Sequence, residues 1–400
     1  MKRDRSRPRP DHAAAADFLR VICAFMIGWY HIWQQSWLTP RLTLGQLALD
    51  VYPWVRAGYM FVDLMLLLSG FLTYLPWARG KGPTALQFYR RRAVRILPCY
   101  WLALLGMLLA AVLAPGFDRP GLLARDLGTH LAFIHNLFRF SHTQTRLNGV
   151  LWTLAVEVQF YLLLPALAPA FRRMPLLCWG AMTGAALCFR GLWTAPMADT
   201  TLFVNRLPNM LDVYANGMLA AHLYARLAGE KRCRKAVAAL GTLLALLGAW
   251  GVLAVIRAQG VSYGDYEALR HGQLDRRWLL SAAGAAFLLG GSLSFAPVRA
   301  ALSNRAVRFF CGISYNFYMW HQWLAVKLKQ WRLPPYQSPA NPNQAGEMPW
   351  QLHYTLACFA AALALAILLT YLVEKPVARR LRGNESIRGR CSVIDRSASL

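Results

Sequence analysis

The chain has 400 residues, 56% of them hydrophobic and only 16% charged, with a mean hydropathy of +0.31. Soluble domains carry about 25% charged residues, so this composition excludes an ordinary soluble domain and indicates a polytopic membrane protein. The net charge of +26 does not imply nucleic acid. Lys and Arg sit in short segments between apolar runs, as topology signals do, and nucleic acid is excluded as a partner.

Ten apolar runs long enough to span a bilayer are expected near 15–37, 57–77, 93–115, 149–170, 175–195, 208–227, 236–257, 278–296, 306–329 and 351–373. The fold class is therefore all-α, a polytopic membrane protein with about ten transmembrane helices in one bundle. With the N-terminus in the cytoplasm, the inner segments hold 28 Lys and Arg and the longer outer connections 14. That bias follows the positive-inside rule, and an even helix count puts both termini in the cytoplasm. The expected organisation is a basic cytoplasmic tail over 1–12, a membrane domain over 13–380, and a disordered tail over 381–400 rich in Ser, Arg and Gly. No cleavable signal peptide is expected, and the cell membrane is the expected location. The eight Cys are scattered without a C-x-x-C pair and read as reduced packing residues.

The first span carries Asp17, Arg20 and His31. Ionisable residues inside a span are costly and usually functional. Arg20 and His31 share a face about 16 Å apart at roughly 1.5 Å per residue, with Asp17 close to it. In the second span, Asp63 is a lone carboxylate, and Ser69-Gly70 permits close helix packing. At the cytoplasmic start of the third, Arg92 and Arg95 are spaced i, i+3 on one face, where planar guanidinium groups suit a phosphate.

The stretch 120–140 is too polar to span and reads as a re-entrant or interfacial helix. Connections 116–148 and 330–350 are long enough to cap a site. His130, His135 and His142 lack a metal site's spacing, and no metal is expected. Glu157 opens the fourth span with Trp152 and Tyr161 nearby, and it needs a partner or a proton. The ninth span carries the polar aromatic run from Ser314 to His321, including Tyr318.

These motifs, in this order over about residues 13–380, resemble the acyltransferase type 3 family of integral membrane O-acyltransferases. The resemblance rests on Arg20-x10-His31, Val62-Asp63-Leu64 to Ser69-Gly70-Phe71, Arg92-x-x-Arg95 to Pro98, Trp152 to Tyr161, Ser314 to His321, and Glu374-Lys375-Pro376. The sequence departs from the family pattern at Met65-Leu66 and at Gln322-Trp323.

The resemblance implies transfer of an acyl group, usually acetyl, from cytoplasmic acyl-coenzyme A to a hydroxyl on an extracytoplasmic or lipid-linked glycan. It implies His31 as catalytic base and Arg92 and Arg95 as coenzyme A contacts, with Arg20 beside them. Glu157 is expected to orient His31 or support its charge. Trp152, Tyr161 and Tyr318 are expected to shape the channel, with Asp17, Asp63 and His321 completing the substrate-binding set. Acyl-coenzyme A is a co-substrate, no tightly bound cofactor is expected, and membrane lipids are the surrounding partner. The alternatives are a polysaccharide-precursor transporter or flippase and a non-catalytic membrane sensor. Neither explains the charged stripe of the first helix together with the absence of repeated halves.

Overall fold

In hydrocarbon every backbone N–H and C=O must be satisfied within the chain, so long apolar runs become helices. The computed structural model describes residues 13–44, 47–114, 119–229, 233–336, 342–344 and 346–381. Of the two terminal tails expected from the sequence, 1–12 lies outside them, as does 381–400 apart from Leu381.

Each of the ten expected runs is a helix. They are α1 (Ala14–Ser36), α2 (Phe61–Ala78), α3 (Ala85–Val112), α4 (Trp152–Arg173), α5 (Pro175–Phe189), α6 (Leu211–Leu227), α7 (Arg234–Gly260), α8 (Tyr266–Leu293), α9 (Arg305–Gln330) and α10 (Met348–Leu369). Among the described residues, seven helices are long and apolar enough to cross a membrane: α1, α2, α3, α4, α5, α7 and α10 with their flanking turns. The others differ for visible reasons. α6 has 17 residues, while α8 and α9 have 28 and 26 but carry Arg270, Arg276, Arg277, Arg305, Arg308, Lys327 and Lys329 along their length.

Among the described residues the exception to helix is a small antiparallel hairpin after α1, Arg41–Leu44 with Leu47–Asp50, pairing Arg41 with Asp50. The connection 120–140 contains a helix over Pro120–Leu131, as its polarity suggested. Its His130 stacks on His135 with ring centroids 3.9 Å apart, and His130 Nδ1 lies 3.1 Å from Asp126.

α1 is the hub of the bundle, packing on α2, α8, α9 and α10, and α2 packs in turn along α6. The α2–α6 crossing is close because both partners offer glycine. A Cβ at Gly217 would lie 2.1 Å from the Leu67 carbonyl oxygen, and one at Gly70 would lie 2.7 Å from that of Tyr214. Gly217→Leu is accordingly expected to force the helices apart. Overpacking of this kind costs about 1–3 kcal/mol or more. A melting temperature in detergent equal to that of the wild type would count against this close crossing.

α3 starts on a capping box in which Gln87 N–H donates to Thr84 Oγ1 at 3.3 Å and Thr84 N–H to Gln87 Oε1 at 3.2 Å. That start sets the phase of the helix and hence the direction of Arg92 and Arg95.

Two buried ion pairs tie α2, the turn after α5, α6 and α8 together. Arg277 Nε donates to Asp63 Oδ2 at 3.1 Å and Arg190 Nη2 to Asp212 Oδ1 at 2.6 Å. Both arginines also reach the Asn209 carbonyl, at 3.4 and 2.7 Å, and Arg277 reaches that of Val204 at 3.0 Å. Asp63, expected to bind substrate, is closed off in this network and lines neither cavity described below.

Candidate active site

Two cavities lie in the bundle and meet at a pair of residues. The inner one is about 90 Å3 and is lined by Arg20 from α1, Ser69 from α2, Arg92 and Arg95 from α3, Glu157 and Tyr161 from α4, and Ser314 and Tyr315 from α9, with apolar walls. The outer one is about 590 Å3 and is lined by His31, Tyr30 and Gln34 from α1, Tyr59, Trp152, Asn205, Gln259, Tyr266, Gln273 and Gln322, among others. Val62 and Tyr318 line both.

Arg20, Arg92 and Arg95 thus share one small space although they come from two helices. The guanidinium of Arg92 sits 5.3 Å from the Tyr161 ring centroid and 5.5 Å from that of Phe88. Its Nε is buried with no hydrogen-bond partner, a donor suited to an anionic group. Glu157 accepts from Ser69 Oγ at 2.6 Å and from the Tyr161 hydroxyl. The carboxylate offsets part of the positive charge that three arginines bring.

His31 faces the other cavity, and its partners are amides. Its Nδ1 lies 3.0 Å from Gln34 Oε1 and 3.2 Å from Gln322 Nε2. Gln34 Nε2 donates to the Tyr30 hydroxyl at 2.9 Å, which turns Gln34 Oε1 toward the imidazole. A protonated Nδ1 donates to Gln34 Oε1 and leaves Nε2 its lone pair, the form that a general base requires, whereas in the other tautomer Nδ1 accepts from Gln322 Nε2. Glu157, expected to orient His31, lines the inner cavity instead, and the orienting groups are Gln34 and Gln322. Neutral amides near a helix end look like ordinary surface residues, so the sequence offers little to mark them. The one signal at Gln322 was its departure from the family pattern.

His321 is fully buried beside His31, with ring centroids 5.3 Å apart and its Nδ1 3.2 Å from the Phe317 carbonyl. It backs the imidazole without lining either cavity. Asp17 accepts from Ser303 Oγ at 2.7 Å and lies 3.6 Å from Cys311 Sγ, tying α1 to α9 and its approach; it too lines neither cavity. Trp152 and Tyr161 fall in different cavities, outer and inner.

At the outer rim Arg270 pairs with Glu267 and lies 3.6 Å from Asp199. Hydrogen bonds from Thr201 and Arg139 hold the Asp199 carboxyl well below the usual carboxylate range, so that charge persists through neutral pH.

The acyltransferase domain family matches residues 14–371, from the first described helix to the turn after α10. The chain belongs to that family. It is therefore an acyltransferase-family chain with several helices apolar enough to cross a membrane, and its location is a membrane.

Two curated relatives are similar in part. A peptidoglycan O-acetyltransferase, OatA, of Listeria monocytogenes is 27% identical over 135 residues, 30% of this chain and 21% of the relative. Nodulation protein 10 of Rhizobium leguminosarum bv. viciae is 28% identical over 175 residues, 40% of this chain and 46% of the relative. The matched stretch thus spans less than half of either relative. No solved structure matches the chain.

Proposed function

We propose that this chain is a plasma-membrane O-acyltransferase with both termini in the cytoplasm. It moves an acyl group, most simply acetyl, from cytoplasmic acyl-coenzyme A to a hydroxyl of an extracytoplasmic or lipid-linked glycan. The observation that carries the reading is the pair of adjoining cavities, the inner holding Arg20, Arg92 and Arg95, the outer holding His31 amid aromatic and amide side chains. A guanidinium cluster suits the phosphates of a donor. Aromatic rings and amides suit a sugar, and the outer volume falls in the range of about 300–1,000 Å3 usual for ligand pockets. The name of the Listeria relative, peptidoglycan O-acetyltransferase, points the same way.

In this mechanism the acceptor hydroxyl enters from the outer cavity and the thioester from the inner one. His31 Nε2 takes the hydroxyl proton as the oxygen attacks the thioester carbonyl carbon. The new C–O bond forms, the C–S bond breaks, and the coenzyme thiolate leaves as a thiol by taking back the proton that His31 removed, which returns the imidazole to its neutral form. Holding donor and acceptor at adjoining cavities replaces a bimolecular encounter with a fixed one. Glu157, hydrogen-bonded to Ser69 and Tyr161, keeps the arginine cluster from self-repulsion when no donor is bound.

Arg92→Ala is expected to raise the KM for acetyl-coenzyme A by about 10- to 100-fold with kcat nearly unchanged. A hydrogen bond to a charged group is worth about 1.5–3 kcal/mol, and loss of uniform binding appears in KM. Unchanged KM in folded Arg92→Ala protein would remove the donor site from this cavity.

A further inference from the structure

We infer that the acceptor is an acidic glycan, and that Arg56 on the wall of the outer cavity binds its carboxylate or phosphate. The inference rests on the proposed transfer and adds to it the charge of the acceptor and the residue that reads it. Among the described residues, the outer cavity is lined by Arg56 and Arg270 but by no Asp or Glu. With both termini in the cytoplasm the two arginines lie on the outer side, where the positive-inside rule gives no reason to place them.

The surroundings of the two arginines differ. Arg270 is compensated on the spot, paired with Glu267 and 3.6 Å from Asp199. Glu267 also accepts from Thr200 Oγ1 at 2.7 Å, and Asp199 pairs with Arg139, so these carboxylates are engaged within the rim. Among the described residues none of the ion pairs includes Arg56. His142 lines the same cavity, but burial and then the Arg270 charge push its pKa down to about 4. It is therefore neutral at neutral pH, and Arg56 is the cation of this wall without a counter-ion.

Arg56 is held in place. It ends the short helix Tyr52–Arg56 that precedes α2. Its Nη1 donates to the carbonyls of Gly260 and Ser262 at 2.9 and 3.0 Å, and its guanidinium lies 4.8 Å from the Tyr263 ring centroid. Trp54 Nε1 donates to the Leu253 carbonyl at 2.9 Å, and a Cβ at Gly260 would lie 1.9 Å from the Pro53 carbonyl oxygen. The short helix is thus seated tightly on the end of α7. Carbonyls satisfy N–H groups but do not neutralise a charge, and a half-buried cation is favoured by an anion beside it. The rest of the planar guanidinium fork suits the paired oxygens of a carboxylate or phosphate. Tyr59 and Gln259 of the same wall, joined at 2.8 Å, are neutral groups suited to sugar hydroxyls. An anionic acceptor also offsets the positive charge that His31 gains when it takes the proton.

The test gives labelled acetyl-coenzyme A and extracted membrane glycans to purified protein in vesicles. The glycans are used untreated, with carboxylates converted to methylamides, or with phosphates removed by a phosphatase. Wild type is expected to lose about tenfold or more in kcat/KM on one treated pool. Loss on amidation identifies a carboxylate, and loss on phosphatase treatment a phosphate. Arg56→Gln is expected to raise the KM for untreated glycan by about 10- to 100-fold. The KM for acetyl-coenzyme A, which fills the other cavity, should not move. Arg56→Lys keeps the charge without the fork and should fall between. The wild-type glycan KM should also rise with salt, a readout that stands even if Arg56→Gln does not fold and that a merely structural arginine would not give. Equal transfer to all three pools, a glycan KM indifferent to salt, or a wild-type glycan KM in folded Arg56→Gln would overturn the acidic acceptor and leave acyl transfer standing. If wild type labels no glycan from acetyl-coenzyme A, the proposed function fails and the acceptor assignment with it.

Discussion

His31→Ala is expected to lower acyl transfer by about 10²- to 10⁴-fold, the usual contribution of a positioned general base. The side chain lines the outer cavity, with its Nδ1 3.0 Å from Gln34 Oε1. The protein should remain folded, because His31 is only half-buried at the cavity wall. Gln34→Ala keeps the imidazole but releases its tautomer, and should give an intermediate loss in kcat. Transfer by folded His31→Ala at the wild-type rate would refute the role. Equal losses in His31→Ala and Gln34→Ala would shift the emphasis from the proton to the cavity's shape.

The largest effect on stability is expected at Asp63. Asp63→Ala leaves Arg277, whose side chain is 0% exposed, without its carboxylate. Removing one member of a buried pair costs about 3–5 kcal/mol. The expected result is a sharp loss of folded protein and of melting temperature in detergent. Replacing both partners, Asp63→Leu with Arg277→Met, removes the unpaired charge and should recover most of the loss. If Asp63→Ala instead melts like wild type but loses acceptor affinity, the residue belongs to the substrate after all.

Much of this arrangement was legible in the sequence because charge is rare within apolar helices. Arg20, Arg92 and Arg95 stood out for that reason, and the structure gathers all three in one cavity. Helix positions were legible from the length of the apolar runs. α8 and α9 were legible as helices too, although their charges leave them outside the seven that meet both length and composition. Pairing across the chain was not legible. Asp63 looked like a lone functional carboxylate because its partner, Arg277, is 214 positions away on α8. Arg190 forms the second half of the same network through Asp212.

Glu157 and His31 invited a link because each lacked a visible partner. The structure divides them between two cavities and gives each its own neutral neighbours, Ser69 and Tyr161 for one, Gln34 and Gln322 for the other. Hydroxyls and amides carry no charge to betray burial, so a sequence alone ranks them with surface residues. The junction at Val62 and Tyr318 was equally hidden, since a valine in an apolar helix has no distinguishing mark.

Labelled acetyl-coenzyme A decides whether an acyl group passes between the two cavities. Supplied to the cytoplasmic face of vesicles containing the wild-type protein and membrane glycans, it should yield label in a base-labile ester on glycan. The modified glycan should gain about 42 Da, the mass of one acetyl group in place of a hydrogen. Unlabelled glycan, in vesicles where the same glycan crosses the bilayer only when this protein is present, would rule out acyl transfer and make the chain a transporter.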